Sequence, residues 1–165
     1  MSDATSDPAR RLSRRERLGL DLHRNLDRWL SPFGVWVFRR TKGSVAKPFK
    51  VDALLLTTRG RRSGRDRTVV LQYFPDGDAM VVTAANDGGD AYPGWYHNLR
   101  SEPDARVEVK GRVIPVRAAE LSGEEAAAWW PRIVDRDPHY ARYRQATDRP
   151  FPILRLSPPP ADEPE

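Results

Sequence analysis

The chain has 165 residues with 28 lysines and arginines against 23 acids, so its formal net charge is +5 and its pI is about 9.9. This length suits one domain with a sizeable core and is too short for two ordinary domains. The absence of cysteine excludes disulfides, a thiolate nucleophile and cysteine-ligated metals, and the three histidines (His23, His97 and His139) lack metal-ligand spacing.

The basic balance favours a polyanionic partner, which charge alone leaves open as nucleic acid, an anionic membrane surface or a phosphorylated small molecule. No segment approaches the ~20 consecutive apolar residues that span a bilayer, and the amino terminus lacks a secretory signal pattern. We therefore expect a cytoplasmic protein, with at most peripheral contact at the inner face of the membrane.

The composition predicts mobile polar tails at 1–12 and 157–165 around a single domain at 13–156. The domain opens with a capping-box serine, Ser13, after which leucines recur at helical intervals as far as Leu30. This pattern predicts an amphipathic helix.

An apolar, aromatic patch with basic flanks follows that helix. Core packing is the favoured interpretation, and contact with a membrane surface is the alternative, because tryptophans beside cations also suit an interfacial anchor. The patch consists of Phe33, Val35, Trp36, Val37 and Phe38, and the cations beside it are Arg39, Arg40 and Lys42.

An arginine-crowded loop separates a strand predicted at Val51–Thr58 from one at Thr68–Phe74. Five like charges repel one another, so a bound polyanion would stabilise this loop, and guanidinium forks match phosphate or carboxylate oxygens two at a time. The loop lacks the spacing of a Walker loop or a dinucleotide fingerprint. Its charged and turn-forming residues are Arg59, Gly60, Arg61, Arg62, Ser63, Gly64, Arg65, Asp66 and Arg67.

A third strand is predicted at Met80–Ala85 after a turn containing Pro75 and Gly77, and a short helix is predicted to begin at Pro93. Two alternating segments then flank Lys110-Gly111, which predicts a two-residue hairpin between strands at 104–109 and 112–121.

A capping box at Ser122 predicts a helix that ends before Pro138, with a bend at Pro131. Tyr140 and Tyr143 should share a face of a further helical turn, because they are three residues apart. The last strand, Phe151–Leu156, contains Pro152 and is therefore predicted at a sheet edge.

The predicted order is helix, three strands, short helix, two strands, helix and strand, without regular βαβ alternation. An α+β fold follows, in which a small antiparallel barrel carries helices packed outside it, in preference to a doubly wound sheet.

Three motifs in this order carry a resemblance to a known family: TTRGRRSGRDR from Thr57 to Arg67, AAN from Ala84 to Asn86, and PGWYHNL from Pro93 to Leu99. From about residue 34 to 156 the chain resembles the deazaflavin-dependent nitroreductase family. The resemblance implies a split β-barrel of the flavin-reductase, FMN-binding kind. It also implies binding of coenzyme F420, a reduced 8-hydroxy-5-deazaflavin with a phospholactyl polyglutamate tail.

The resemblance also implies roles for particular residues. The arginine loop would hold the tail, the third strand and the loop after it would line the ring through backbone groups, and the short helix would cover the cofactor. The implied cofactor-binding residues are Thr57, Arg61, Arg62, Ser63, Gly64, Arg67, Thr83, Ala84, Ala85, Asn86, Gly94, Trp95, Tyr96, His97 and Asn98. Tyr140, Tyr143 and Tyr73 are assigned to the substrate side, with Tyr140 as the catalytic hydrogen-bond donor, and no metal is implied. From residue type alone, core packing is the favoured interpretation of Trp95 and Tyr96.

Three positions depart from the family pattern. Arg62 replaces a usual lysine, Val69-Val70 replaces a common Thr-Pro, and Asp137 precedes the position of a further tyrosine in nitroimidazole-reducing members. These departures leave cofactor binding in place and argue against nitroimidazole reduction.

The sequence therefore predicts an F420-dependent oxidoreductase that passes hydride to a planar electron-poor acceptor such as a quinone, an enone or a nitro compound. The alternative is a deazaflavin or FMN carrier without turnover, because its cofactor loops would look the same. A basic nucleic-acid-binding module is the remote alternative, since no recognition motif supports it. The oligomeric state stays open between monomer and homodimer.

Overall fold

The computed structural model describes residues 32–43 and 52–160. The helix predicted between Ser13 and Leu30 lies outside these residues, as do most of the two predicted tails. Within them, a seven-stranded antiparallel sheet carries four helices. The strands are β1 Ala53–Arg59, β2 Asp66–Gln72, β3 Phe74–Asp76, β4 Ala79–Thr83, β5 Asp104–Val109, β6 Arg112–Glu120 and β7 Ile153–Ser157. The helices are α1 at 32–41, α2 Gly94–Ser101, α3 Gly123–Arg136 and α4 His139–Ala146, and a 3-10 turn occupies Asn86–Gly88.

The strand order is β2-β1-β5-β6-β7-β4-β3, and every neighbouring pair is antiparallel. The sheet curls into a half-barrel, which confirms the predicted split β-barrel with helices outside it. None of the helices in the described ranges has the length and the apolar run that crossing a bilayer requires.

The predicted strand 68–74 is wrong in one respect, because it is divided into β2 and β3 at Tyr73. Gln72 still pairs with Ala53 of β1, whereas Phe74 pairs with Val81 of β4 at the far edge of the sheet. One continuous apolar run therefore supplies both edge strands, which alternation alone does not reveal.

The edge position predicted for the last strand is also wrong. β7 lies between β6 and β4, with Leu156 paired to both Ala118 and Met80. Pro152 precedes the strand and needs no ladder donor, and its carbonyl accepts a hydrogen bond from the Ala84 N–H at 2.9 Å. The strand also extends to Ser157, one residue beyond the predicted domain limit.

The hairpin predicted at Lys110-Gly111 is confirmed. Val109 pairs with Arg112, and both loop residues have positive φ, 51° and 78°, as a type I′ turn requires.

Helix α3 differs from the prediction at its N-terminus and agrees with it at its C-terminus. Ser122 occupies the N-cap position, yet its side chain makes no capping hydrogen bond. The helix continues through Pro131 and ends at Arg136, just before Asp137-Pro138 as predicted.

Side-chain alternation along the strands builds cores on both faces of the sheet. Val82 of β4 joins Leu54 and the α2 residue Trp95, whereas its neighbour Val81 packs with Ile133 of α3. Both valines are fully buried. The sheet is therefore covered by α2 on one face and by α3 and α4 on the other.

The first helix divides the predicted aromatic patch. Val35 and Phe38 pack with Leu55 of β1 and are buried, whereas Phe33 and Trp36 remain 61% and 58% exposed. Core packing therefore accounts for only half of the patch.

Candidate functional site

An open cleft with a volume of about 1210 Å³ lies between the β1–β2 loop, strand β2, and the N-terminal ends of α1 and α2. A smaller compartment of about 260 Å³ adjoins it, and the two share Val70, Leu71, Asn86, Asp87, Pro93 and Trp95. Because the two compartments adjoin, they suit one large ligand in the cleft and a second, smaller ligand in the compartment beside it.

The β1–β2 loop is folded by its own backbone. The Gly60 N–H donates to the Arg65 carbonyl at 2.8 Å, and the Gly64 N–H donates to the Gly60 carbonyl at 2.7 Å. A Cβ at position 60 would lie 2.7 Å from the Ser63 Oγ and 3.0 Å from the Arg65 carbonyl oxygen, so only glycine fits there. Gly64 has a φ of +63°, which also favours glycine.

Buried Asn98 of α2 holds this loop against the sheet. Its Oδ1 accepts a hydrogen bond from the Arg61 N–H at 3.1 Å, and its Nδ2 donates to the Thr58 Oγ1 at 3.0 Å. An asparagine predicted to cover the cofactor therefore also joins the loop, β1 and α2.

Positive charge at this end of the cleft is not neutralised by the described residues. Arg61, Arg62 and Arg67 line the cleft and form no ion pair with any described residue. Asp66, the acid within the loop, is paired with Arg106 of β5. The guanidinium groups are therefore available to a bound anion.

The same charge acts on His97 of α2. Burial is the largest cause that lowers the pKa of this imidazole below its ordinary value of 6.5, and Arg61, Arg100 and Arg62 lower it further. The shift favours the neutral imidazole.

The smaller compartment carries polar groups from β4, the 3-10 turn and α4. Thr83, Tyr140 and Tyr143 all line it, together with Asp87 and Asp137. The Tyr140 and Tyr143 rings meet edge to face, with their centroids 5.6 Å apart, so the predicted shared face is confirmed.

Both phenols remain protonated over the physiological pH range. Burial is the main cause that raises the pKa of Tyr140 well above its usual range, and Asp137 adds to the effect. Burial, the nearby acids and a hydrogen bond with Asp87 raise the pKa of Tyr143 to about 12. Each hydroxyl can therefore act as a hydrogen-bond donor.

The 3-10 turn is held in an unusual backbone conformation. Asn86 and Asp87 have φ values of 47° and 50°, and the Asn86 Nδ2 donates to the Ala91 carbonyl at 2.8 Å. At Gly88, with φ +74°, a Cβ would lie 2.9 Å from the Tyr143 carbonyl oxygen. Such strain is characteristic of functional loops, and here it lets the turn pack directly on α4.

Most of the predicted site residues meet in the two compartments. Those that line them are Arg61, Arg62, Ser63, Arg67, Thr83, Ala85, Asn86, Gly94, Trp95, Asn98, Tyr140 and Tyr143. Gly64 itself serves in the fold of the loop.

Besides Gly64, five predicted site residues do not line either compartment. The Thr57 hydroxyl shares a hydrogen bond of 2.8 Å with that of Thr68, and Thr68 is the one that lines the cleft. Buried Tyr73 belongs to the core at the β2–β3 corner, where its N–H donates to the Asp52 carbonyl at 2.9 Å. Ala84 is also fully buried.

Tyr96 and His97 complete that group. The Tyr96 ring is buried in the core and its hydroxyl donates to Glu120 at 2.9 Å, as the core-aromatic alternative predicts. His97 is half-buried beside the arginine loop without lining the cleft.

Sequence reasoning missed Arg149, which precedes β7. Its guanidinium donates to three carbonyls of the loop that follows β4, those of Ala84, Ala85 and Gly89, at 2.9, 2.7 and 3.0 Å. The only local signal was its place before Pro150 in a connection between elements, and an arginine there is ordinarily read as solvated.

A reduced deazaflavin with an anionic tail fits these residues. The tail requires cations, and the arginine loop supplies cations that no acid in the described part of the chain neutralises. The ring requires polar partners inside the compartment, where the buried Thr83 Oγ1 has no hydrogen-bond partner within residues 32–43 and 52–160.

A curled antiparallel sheet whose cleft carries an arginine-rich loop, with two phenols in the adjoining compartment, places the protein in the class of split β-barrel oxidoreductases with a flavin-like cofactor. The chain belongs to the F420H(2)-dependent quinone reductase family, whose sequence pattern matches residues 32–158. This membership confirms the predicted enzyme class and F420 as the cofactor of the family.

Named relatives agree with this assignment. The F420H(2)-dependent quinone reductase of Mycobacterium tuberculosis strain H37Rv is 32% identical over 126 residues, which cover 73% of this chain and 85% of the relative. The solved structure of an F420-H2 dependent reductase, FDR-A, superposes with a TM-score of 0.59 at 34% identity, covering 64% of this chain and 94% of that one. A second structure, described as a domain-swapped dimer, has a TM-score of 0.59 at 31% identity over 77% of this chain and all of that one.

Proposed function

We propose that the cleft binds reduced F420 with the anionic tail on the arginine loop, and that a quinone is reduced beside Tyr140 and Tyr143. The observation that carries this proposal is the arrangement of Arg61, Arg62 and Arg67, which form no ion pair with a described residue, in a cleft that adjoins a compartment lined by two phenols.

The loop would bind the tail through charge-assisted hydrogen bonds. Ser63 lies between the two glycine turns and can donate its hydroxyl to the same anion. Asn98 keeps the loop in place, so the arginines require little reorganisation when the anion arrives.

Bound reduced F420 would supply a hydride to an electron-poor carbon or oxygen of the acceptor. The residues of this chain would hold a planar acceptor in near-attack geometry, with the Trp95 and Val70 side chains forming apolar walls. Negative charge develops on the acceptor oxygen, and the Tyr140 hydroxyl would donate a hydrogen bond to it. Tyr143, oriented by Asp87, would complete this end of the compartment.

The proposal is tested with purified protein, reduced F420 and menadione, following the visible absorbance that the cofactor gains on oxidation. We expect turnover with quinones, and weaker turnover or none with nitroimidazoles. Tight F420 binding without oxidation by any quinone, enone or nitroaromatic would favour the carrier alternative. A parallel titration with FMN tests that cofactor directly.

The exposed half of the α1 patch supports peripheral contact with an anionic membrane at its inner face. The Phe33 and Trp36 rings stack with centroids 6.0 Å apart, and the Arg40 guanidinium lies 6.0 Å from the Trp36 ring. Because α1 also closes one side of the cleft, through Pro32, Gly34 and Val35, this contact would bring the cleft near a membrane-dissolved quinone.

Vesicle sedimentation tests this contact. Binding should require anionic lipid and should fade with salt, because one small apolar patch and a few cations give only reversible attachment. Trp36→Ala should lower binding, and no lipid-dependent loss of the wild type from the supernatant at low salt would exclude it.

A further inference from the structure

We propose that Arg149 is a positioning residue that keeps the backbone N–H groups of Ala85 and Asn86 directed into the smaller compartment, where they bind the polar edge of the deazaflavin ring. This inference rests on the proposed cofactor site, and it adds a residue that contacts neither cofactor nor substrate.

Arg149 binds two consecutive carbonyls of one chain segment. Its Nη1 donates to the Ala84 oxygen at 2.9 Å and its Nη2 to the Ala85 oxygen at 2.7 Å. Its Nε reaches the Gly89 oxygen at 3.0 Å, so the guanidinium spans the whole loop that contains the 3-10 turn.

The hydrogen bonds from Arg149 to the two carbonyls also determine which way the following N–H groups point. The described chain has no cis peptide bond, and in a trans peptide the N–H points opposite to the carbonyl of the preceding residue. With the Ala84 and Ala85 carbonyls turned toward Arg149, the N–H groups of Ala85 and Asn86 face away from it. Both of these residues line the smaller compartment, and neither amide donates to a described residue.

The hydroxyl of Thr83 adds an independent indication of a ligand. The residue is 92% buried, it lines the same compartment, and its Oγ1 has no hydrogen-bond partner among the described residues. A buried polar atom of this kind is costly to leave unpaired. Three polar groups within the four residues 83–86 are therefore available to one ligand, as a ring with several heteroatoms requires.

Arginine is specifically suited to this position. Its guanidinium carbon is 4.5 Å from the Tyr92 ring centroid and 5.0 Å from the Phe151 ring centroid, so it makes a cation–π contact with each of the two aromatics. Lysine has one rotatable ammonium and no planar fork, so it cannot bind two successive carbonyls while stacking on two rings.

The test compares Arg149→Lys with wild type by titrating two probes, complete F420 and the deazariboflavin that lacks the phosphate tail. The variant should bind both probes roughly 10- to 100-fold more weakly, the factor expected for lost charged hydrogen bonds. Arg67→Ala should weaken only the complete cofactor. Arg155→Lys is the matched control, because Arg155 pairs with Asp76 and Glu125 and does not touch this loop.

Equal affinity of Arg149→Lys and wild type for the tail-less probe would overturn the inference while the proposed function stands. If wild type binds neither probe, the proposed function itself fails.

A second measurement needs no variant. Amide hydrogen exchange of the wild type should show slower exchange at Ala85 and Asn86 when deazariboflavin is added, because their N–H groups become hydrogen-bonded to it. Unchanged exchange at both amides in a saturated complex would contradict the inference even if Arg149→Lys failed to fold.

Discussion

The residues around the smaller compartment and those of the β1–β2 loop differ in their surroundings, and the surroundings determine which interactions each can make. Burial and nearby acids keep the Tyr140 phenol protonated, so it can donate a hydrogen bond and cannot act as a phenolate base. The arginines of the β1–β2 loop form no ion pair with a described acid, so they are available to an anion. Neither region needs a histidine or a carboxylate as an obligatory base.

Replacing Tyr140 by phenylalanine should lower kcat with menadione by ~10-fold or more and leave F420 affinity within a few-fold, because the hydroxyl acts mainly during reaction. Steady-state kinetics of wild type and variant give kcat, and a binding titration gives the affinity. Tyr96→Phe is the control, since that hydroxyl bonds Glu120 outside the cleft. Equal kcat in Tyr140→Phe and wild type would remove Tyr140 from catalysis.

Arg61→Ala and Arg67→Ala should each weaken F420 binding by ~1.5 to 3 kcal/mol, the range for a lost hydrogen bond to a charged group. Wild-type affinity should fall as salt rises, and the affinity of the variants should depend less on salt. Arg117→Ala serves as a control, because its side chain is exposed and pairs with Asp104 on the surface. Unchanged affinity in both loop variants would refute the tail site.

His97 offers a pH-dependent test of the loop's field. Because its folded pKa lies below 6.5, the unfolded chain binds more protons below that pH, and this residue's contribution to stability falls as pH drops through 6.5. In Arg61→Ala the pKa should rise toward 6.5, as followed by NMR titration of the imidazole. Arg65→Ala should leave it unchanged, since Arg65 is not among the charges that act on this group. An unchanged His97 pKa in Arg61→Ala would show that the charge of Arg61 does not act on the imidazole.

Helix α1 has one face that packs on the sheet and an opposite face that is exposed to solvent. Val35 and Phe38 attach the helix to Leu55 of β1, and its first turn borders the cleft. The opposite face presents Phe33 and Trp36 to solvent. The helix is therefore part of the folded domain and also its most exposed aromatic surface in the described chain.

This division predicts unequal costs for two aromatic substitutions. Phe38→Ala should lower the free energy of unfolding by about 3 kcal/mol, because it removes a buried ring, whereas Trp36→Ala should change it by no more than about 0.5 kcal/mol. Chemical denaturation measures both. Similar losses in the two variants would mean that Trp36 is covered in solution.

Positive and negative side chains line different parts of the cleft and its adjoining compartment. The net charge of +5 includes the arginine loop at one end, while Asp87 and Asp137 line the compartment with the phenols. This polarity would direct an anionic tail toward the loop and disfavour an anionic acceptor at the other end.

A naphthoquinone sulfonate should therefore have a roughly fivefold higher KM than menadione, as expected for about 1 kcal/mol of screened repulsion. Asp137→Asn should reduce this ratio, and Asp104→Asn, on the distant surface, should leave it unchanged. A ratio of one in wild type would exclude charge selection by these acids.

Local chemistry determined much of this protein from sequence alone. Alternating strands imply an antiparallel sheet, and Lys110-Gly111 selects a type I′ hairpin. Tyr140 and Tyr143 share a helical face simply because they are three residues apart. Each of these inferences depends on interactions between residues close together in the chain.

Tertiary structure alone decided the features that depend on distant pairing. No short-range sequence pattern predicts the central position of β7 or the division of one segment into β2 and β3. The same holds for the hydrogen bond from Arg149 to Ala84, which are 65 residues apart. Asn98 likewise meets Arg61 across 37 residues. A hydrogen bond or a strand neighbour at such separation is selected by the packing of the whole sheet, because the local sequence is compatible with several partners.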